Sequence, residues 1–352
     1  MTAAPPPVGG SRPRGIQSGG SALREPVRIG LIGAGRIGSA HAGTLARRVP
    51  GAELVGVADA VPAAASRLAG QLGVTAFGSP DELITADEVE AVVIAASSEA
   101  HCALIVAAAA AGKAIFCEKP MSQTLAEADR ALAAAADVPL QVGFNRRFDA
   151  GFAAAHEVVA SGGVGTPQLL RSLTRDPGLA NPGAVPPWTI FTQTLIHDFD
   201  TLLWLNPGAS VVEVYATADA LVAPEYKPAG LLDTAVTVLT FDNGARAIAE
   251  ASFSATYGYD VRAEVFGSAG MVTVGDQASS SLTHYGPDGR RVTTVRGDVE
   301  LFRDAYAGEF AEFADAVRAG REPAVTGRDA RRALGVALAC IESVTTNRPV
   351  PL

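Results

Sequence analysis

The sequence predicts an α/β Rossmann domain, a doubly wound parallel sheet, followed by an α+β half with a predominantly antiparallel, open-faced sheet. Three observations predict this division. At 352 residues the chain exceeds the comfortable size of one core. Up to about residue 144, short apolar runs alternate with alanine-rich stretches of helical length. From Phe144 onward, several strand-like runs follow one another without helices between them.

Residues 1–26 are rich in Pro, Gly and Ser and carry Arg12, Arg14 and Arg24. They lack the apolar core of a secretion signal and any twin arginine, and they read as a flexible extension. Residues 27–32, 53–58, 75–77, 91–96, 113–117 and 140–142 read as six strands. Between most of them lie helical stretches at 37–48, 62–72, 99–111 and 124–136, with Pro62 placed to open its helix. Strand and helix in alternation imply a parallel sheet covered on both faces.

The second half opens with a helix at 150–161, a strand, a proline-rich loop at 176–187 and a helix near 194–205. Strands at 211–216, 235–241, 245–253 and 261–266 follow. Val261, Ala263 and Val265 alternate with Arg262 and Glu264, the period of a half-buried strand. Asp242-Asn243-Gly244 between two strands signals a hairpin. Helices then cover one face of an antiparallel sheet, and the other face is available for assembly into a homodimer or homotetramer. Tyr306, Phe310, Phe313 and Val317 recur at helical spacing as a core stripe, and 329–346 forms the last helix. The expected divisions are 1–26 as extension, 27–144 as the dinucleotide-binding domain, and 145–352 for substrate binding and oligomerisation.

Composition narrows the function. Apolar residues make up 48% and charged residues 18%, which is globular, and the net charge of −9 argues against a nucleic-acid partner. Cys102, Cys117 and Cys340 are odd in number and show no metal-ligand spacing with the scattered histidines, so no metal is expected. They fit reduced core thiols in a cytoplasmic protein. The longest apolar run, 102–111, is half of what a bilayer needs, so no membrane partner is expected either.

The first strand runs directly into Gly33-Ala34-Gly35-Arg36-Ile37-Gly38, and a helix follows. Glycines there allow a tight turn, close approach of a pyrophosphate and close helix–strand packing. The helix N-terminus adds unpaired N–H groups and partial positive charge. Asp59 closes the second strand about 20 residues on, where a carboxylate accepts both ribose hydroxyls and repels a 2′-phosphate. Ala60 and Val61 bring no basic residue, which again favours NAD over NADP. Ala96, Ser97, His101, Glu118 and Lys119 complete the expected cofactor-binding set.

With these pieces placed, the sequence resembles the glucose–fructose oxidoreductase and inositol dehydrogenase family over nearly its whole length after Pro26. The resemblance rests on the glycine loop, Glu118-Lys119-Pro120, 143–149 (GFNRRFD), His197-Asp198-Phe199-Asp200, and Tyr257-Gly258-Tyr259-Asp260 ahead of 264–268 (EVFGS). Thr174-Arg175-Asp176-Pro177 makes it most like the inositol 2-dehydrogenases. The resemblance implies NAD-dependent oxidation of a secondary alcohol on a cyclitol or sugar ring.

That chemistry needs a base and a cationic group near the alcohol oxygen. Lys119 follows the fifth strand, at the edge where open parallel sheets bind ligands. The resemblance makes His197 a proton carrier, while Asp200 supports the site from the same helical face. Arg146 or Arg147, Asp176, and Tyr257 or Tyr259 suit hydrogen bonding to a hydroxyl-rich ring. His41 and His101 fit packing or support of the cofactor loop. Gln193 departs from the pattern, since the family carries a carboxylate there, one turn before the histidine. Glutamine can accept a hydrogen bond from imidazole but leaves it a weaker base. Three readings stay open at this point: a dehydrogenase with Lys119 as its main base, a binding protein without turnover, and a lyase or hydrolase that uses NAD transiently.

Overall fold

The computed structural model describes residues 25–178, 183, 185–275 and 278–352. Most of the expected extension, and part of the proline-rich loop, lie outside the described residues.

The first half alternates strand and helix. Its elements are β1 (Val27–Ile32), α1 (Arg36–Arg48), β2 (Ala52–Ala58), α2 (Pro62–Leu72), β3 (Thr75–Ala76), α3 (Pro80–Thr85), β4 (Ala91–Ile94), α4 (Ser98–Ala110), β5 (Ala114–Cys117), α5 (Leu125–Ala134) and β6 (Leu140–Val142). The six strands pair in the order β3-β2-β1-β4-β5-β6, all in parallel. Strand order reverses between β1 and β4, which opens a crevice at their C-terminal ends. Every residue of β4 and β5 is buried, as helices on both faces require. Helix α3 was not expected from the sequence. It is a short turn capped by Ser79, whose hydroxyl accepts from the Glu82 amide, and Leu83 packs against the bare backbone of Gly30.

The second half begins with α6 (Ala150–Ala160), β7 (Pro167–Arg175) and α7 (Ile196–Trp204). It continues through β8 (Val211–Asp219), β9 (Thr234–Phe241), β10 (Arg246–Ser252), β11 (Asp260–Gly267) and β12 (Met271–Val274). After the hairpin of β13 (Ala278–Gly286) and β14 (Gly289–Thr294) come α8 (Asp298–Leu301), α9 (Arg303–Ala319), α10 (Gly327–Thr346) and β15 (Val350–Pro351). The main sheet runs β12-β11-β7-β10-β9-β8-β15 and is antiparallel except between β7 and β10. The predicted hairpin joins β9 to β10, with Gly244 at φ +89°. Helices α7 and α10 cover one sheet face. The opposite face leaves Leu169, Val236, Val238, Ile248 and Phe266 between 40% and 56% exposed.

The helix expected near 194–205 starts earlier and is not uniform. Residues Ile190–Leu195 form a π-helical turn that runs into α7. An extra residue per turn shifts which side chains share a face, which matters for the site below.

Helix α9 crosses the expected domain boundary. Its stripe of Tyr306, Phe310 and Phe313 is buried, and Val317 half-buried, as predicted. Phe310, Phe313 and Val317 pack into the core of the first half, with the Phe116 ring 5.9 Å from that of Phe313. Gln141 ties the same junction, donating to the Glu309 carbonyl at 2.9 Å. Truncating Phe313→Ala is therefore expected to lower unfolding free energy by about 3–5 kcal/mol. Both halves should lose stability together, in one shared transition, when denaturant unfolding is followed by circular dichroism and by tryptophan fluorescence. A loss below about 1 kcal/mol would contradict this packing.

Candidate functional site

The glycine loop is built by steric exclusion. Gly33 sits at φ +108°, and a Cβ there would stand 2.4 Å from the Ala95 carbonyl. A Cβ on Gly38 would stand 1.9 Å from the Gly33 carbonyl, whereas Gly35 faces open space. No side chain caps the N-terminus of α1, and its first turn holds no acid. A cradle with room above it and amides facing out suits a pyrophosphate. Asp59 ends β2 with its carboxylate tied to the loop, accepting from the amides of Ala34 (2.6 Å) and Val61 (2.7 Å). Each oxygen keeps a lone pair for a ribose hydroxyl.

Next to the loop lies a cavity of about 340 Å³ at the junction of the two halves. Arg36, Ile37, Ala96, His101, Glu118 and Lys119 from the expected cofactor set reach its wall. Ser97 does not; it precedes α4, and the neighbouring Ser98 lines the wall instead. The buried His101 ring stands 2.8 Å from the Pro120 carbonyl and 3.1 Å from that of Ala96, tying together the loops after β4 and β5. Arg36 extends into solvent and pairs with Asp298 at 2.9 Å, joining the glycine loop to the second half.

Lys119 and His197 come together here. The Lys119 ammonium donates to the backbone carbonyl of Gln193 at 2.9 Å and to its Oε1 at 3.4 Å. Burial pulls the Lys119 amine below its ordinary range, although Glu118 and Asp298 oppose this. His197 is held well below its usual pKa by burial first, and then by the charges of Lys119 and Arg146. Its Nδ1 is buried without a partner, and its ring meets Phe144 edge-on at 5.8 Å. A neutral imidazole is therefore the resting form.

Gln193 and His197 both line the cavity, but Gln193 spends its side-chain amide on other partners rather than on the imidazole. The Gln193 Nε2 donates to the Ser98 hydroxyl at 3.1 Å, and its Oε1 accepts from Lys119. Gln193 lies in the π turn Ile190–Leu195, where the register that stacks residues four apart on an α-helix does not hold.

The paired candidates separate. Arg146 lines the cavity, buried, with Nη1 donating to Asp198 at 2.8 Å and Nη2 to the Thr174 hydroxyl at 2.5 Å. Arg147 points elsewhere: it holds Asp200 at 2.9 Å and lies 5.7 Å over the Trp204 ring, so it is not a cavity residue. The two sit on a 3₁₀ turn, where successive side chains diverge by about 120°. Asp200, expected to support the site, pairs with Arg147 away from this cavity. Tyr257 is likewise corrected: it is 47% exposed, bonds to Asp260, and Tyr259 reaches the cavity instead. Gly258 between them, at φ +139°, breaks the extended alternation.

Asp176 reaches the cavity, and its carboxyl is pushed up to about 6 by burial and by the nearby charge of Asp298. The sequence reading missed Asn145, Thr194, Asp298 and Tyr306 at this wall. Asn145 lay inside a quoted motif, whereas Asp298 and Tyr306 arrive from distant sequence with no local signal. The arrangement combines a desolvated amine, a neutral imidazole and a carboxyl beside a phosphate cradle. It can hold a polyhydroxylated ring and take a proton from one hydroxyl.

Comparison with known proteins agrees with this geometry. Residues 27–145 match the family described as an oxidoreductase family with an NAD-binding Rossmann fold. Residues 152–273 match the GFO/IDH/MocA C-terminal domain. A myo-inositol 2-dehydrogenase of Thermotoga maritima is 38% identical, over 93% of this chain and 98% of that protein. The scyllo-inositol 2-dehydrogenase (NAD(+)) of Bacillus subtilis is 35% identical, over 94% of this chain and 97% of that protein. The solved scyllo-inositol dehydrogenase of Lactobacillus casei, with bound NAD(H) and scyllo-inositol, superposes with a TM-score of 0.88 at 27% identity. That superposition covers 93% of this chain and 99% of the other.

The electrostatics of His197 give a direct test. In ¹⁵N NMR, assigned with a His197→Asn variant, its ring is expected to stay neutral through the range in which a free imidazole takes up its proton. Protonation near the ordinary value of about 6.5 would show that the ring is neither desolvated nor beside Lys119 and Arg146 as described.

Proposed function

The chain belongs to the GFO/IDH/MocA oxidoreductase family, and from that premise we propose that it is an NAD-dependent dehydrogenase of a cyclitol or sugar ring, oxidising one secondary alcohol to a ketone. The observation that carries this reading is the half-buried Lys119 amine, which shares with His197 a cavity that adjoins the glycine loop. Residues 27–144 hold the cofactor in this reading, and 145–352 bind substrate and mediate assembly.

Gly33, Gly35, Arg36, Ile37 and Gly38 cradle the pyrophosphate, and Asp59 takes the ribose hydroxyls. Ala96, Ser97, His101 and Glu118 shape the rest of the cofactor face. NAD, when bound, supplies the hydride acceptor. Lys119 is the main base: as the amine it accepts the hydroxyl proton, and its desolvation makes that form available at lower pH than for a free lysine. His197, uncharged, fixes the reacting oxygen by a hydrogen bond. Asp176 and Arg146 bind neighbouring hydroxyls of the ring, the first accepting as its carboxylate above about pH 6 and able to donate below it. Gln193 stands among the catalytic residues because it orients the Lys119 amine. With Lys119 and His197 both at the cavity, turnover is favoured over a binding-only protein.

The test is NADH formation over a panel that includes myo-inositol, scyllo-inositol and aldoses. Activity with a cyclitol or sugar is expected to rise with pH as Lys119 loses its proton, and to be much weaker with NADP. Lys119→Ala should cut turnover by about 10²-fold or more while NAD affinity stays within a few-fold. Near wild-type turnover in that variant would remove Lys119 from the mechanism.

The setting follows from the same reading. The partner is a small polyol or sugar, not nucleic acid or membrane, and the buried cysteines fit a cytoplasmic protein. Among the described residues no helix is long and apolar enough to cross a membrane. The exposed apolar face of the second sheet fits self-association as a homodimer or homotetramer. Light scattering after size exclusion is expected to give a dimer or tetramer, and a charge at Val238 or Ile248 to dissociate it. A monomer at micromolar concentration would count against the interface.

A further inference from the structure

Next to Lys119 the structure buries a set of titratable groups, of which the mechanism above uses only Glu118. His41 of α1 and Glu118, which follows β5, meet at 2.5 Å between Nε2 and Oε1. Glu309 of α9 completes the set, with an oxygen within 4.8 Å of the facing atoms of both. Glu309 is fully buried and neither of its oxygens has a partner, and His41 Nδ1 is likewise buried and unpartnered. Aromatic rings close the other sides: Phe310 at 5.0 Å, Tyr306 at 5.3 Å and Phe116 at 6.2 Å from the His41 ring.

An ionised carboxylate so fully buried would have no protein donor to offset its desolvation, which favours the protonated form of Glu309. Burial, then the charge of Glu118, both push its carboxyl well above the usual range. Its O–H is then a donor without an acceptor, beside the one anion of the cluster. Glu118 is that anion. Burial alone would raise its carboxyl, but the His41 hydrogen bond, with the charges of His41, Lys119 and His101, holds it below the usual range. Glu118 in turn is the first-ranked opposition to the loss of the Lys119 proton, ahead of Asp298 and Asp176 and against Arg36. Its other oxygen accepts from the Lys119 amide at 3.1 Å, so it fixes the lysine backbone as well.

We propose that Glu309 is a positioning residue of the dehydrogenation site: as a neutral acid it donates toward the His41–Glu118 pair and holds Glu118 as the ionised neighbour of Lys119. A metal ion is the competing occupant for a histidine and two carboxylates. The 2.5 Å contact speaks against it, because two ligands of one ion repel at that separation, whereas a shared proton draws them together.

This inference rests on Lys119 being the catalytic base, so its test has one arm that does not depend on activity. Infrared difference spectra between wild type and Glu309→Gln at pH 8 are expected to show the carbonyl stretch of one protonated carboxylic acid, lost in the variant. The band establishes the neutral acid whatever Lys119 does. The second arm is the pH profile of kcat/KM. Glu309→Leu removes the donor, so Glu118 ionises less readily, Lys119 loses its anionic neighbour, and its amine forms at lower pH. The acid limb is expected to move down by about half a pH unit or more, while Glu309→Gln, which keeps a donor, leaves it in place. Thermal melts confirm that each variant is folded; should Glu309→Leu not fold, Glu309→Met takes its place. An absent band, a stoichiometric metal lost on Glu309→Gln, or an unmoved profile in folded Glu309→Leu or Glu309→Met would overturn the proposal. If instead the band appears and Lys119→Ala stays active, the fault lies with the reading of Lys119.

Discussion

One hydrogen bond organises the site: the Lys119 ammonium, carried by the first half, donates to the backbone carbonyl of Gln193, carried by the second. Taking an ammonium out of water is costly unless its donors are satisfied. A carbonyl fixed in a helical turn meets that need without introducing a counter-charge. The amine is thereby aimed into the cavity but not locked as an ion, a condition a general base requires. The junction must stay closed for this contact to persist. Phe310 and Phe313 of α9 in the core of the first half, and the Arg36–Asp298 pair at the mouth, brace it from two directions. Packing at the junction thus holds in place the contact that the Lys119 amine makes with the second half.

Most of the fold was legible in the sequence because it rests on local periodicity. Six strands with alanine-rich helices between them, the glycine loop and the stripe on α9 each declare themselves within a dozen residues or so. Side-chain direction was less legible where the backbone leaves the regular periods. Gln193 lies in a π turn, the 3₁₀ turn parts Arg146 from Arg147, and Gly258 parts Tyr257 from Tyr259. None of these departures leaves a hydrophobic pattern to read, since only one or two residues are displaced. Asp298, Tyr306 and Glu309 were invisible for a different reason: tertiary contacts alone bring them to the site. Glu309 in particular sits next to a residue of the predicted core stripe, Phe310, so its burial was foreseeable but its partners were not.

The substitution at position 193 changes the charge map of the cavity. A carboxylate there would sit on Lys119 and hold it as an ammonium, leaving the imidazole to take the proton. Glutamine offers the same acceptor geometry without the charge. Its amide nitrogen is spent on Ser98, which fixes the orientation with Oε1 toward the lysine. The anions that remain are Glu118 next to the lysine and Asp176 and Asp298 across the cavity.

That redistribution has a consequence for how the proton moves. With His197 held neutral by burial beside two cations, it cannot easily accept a proton, because doing so would place three positive charges in one desolvated space. Lys119 can accept one, because Glu118 already balances the ammonium that results. Asp176, with a carboxyl pushed up to about 6, is close enough to neutrality that a bound hydroxyl can be its donor or its acceptor near that pH. In the proposed mechanism the lysine takes the proton, because Glu118, Asp298 and Asp176 are placed to balance its protonated form.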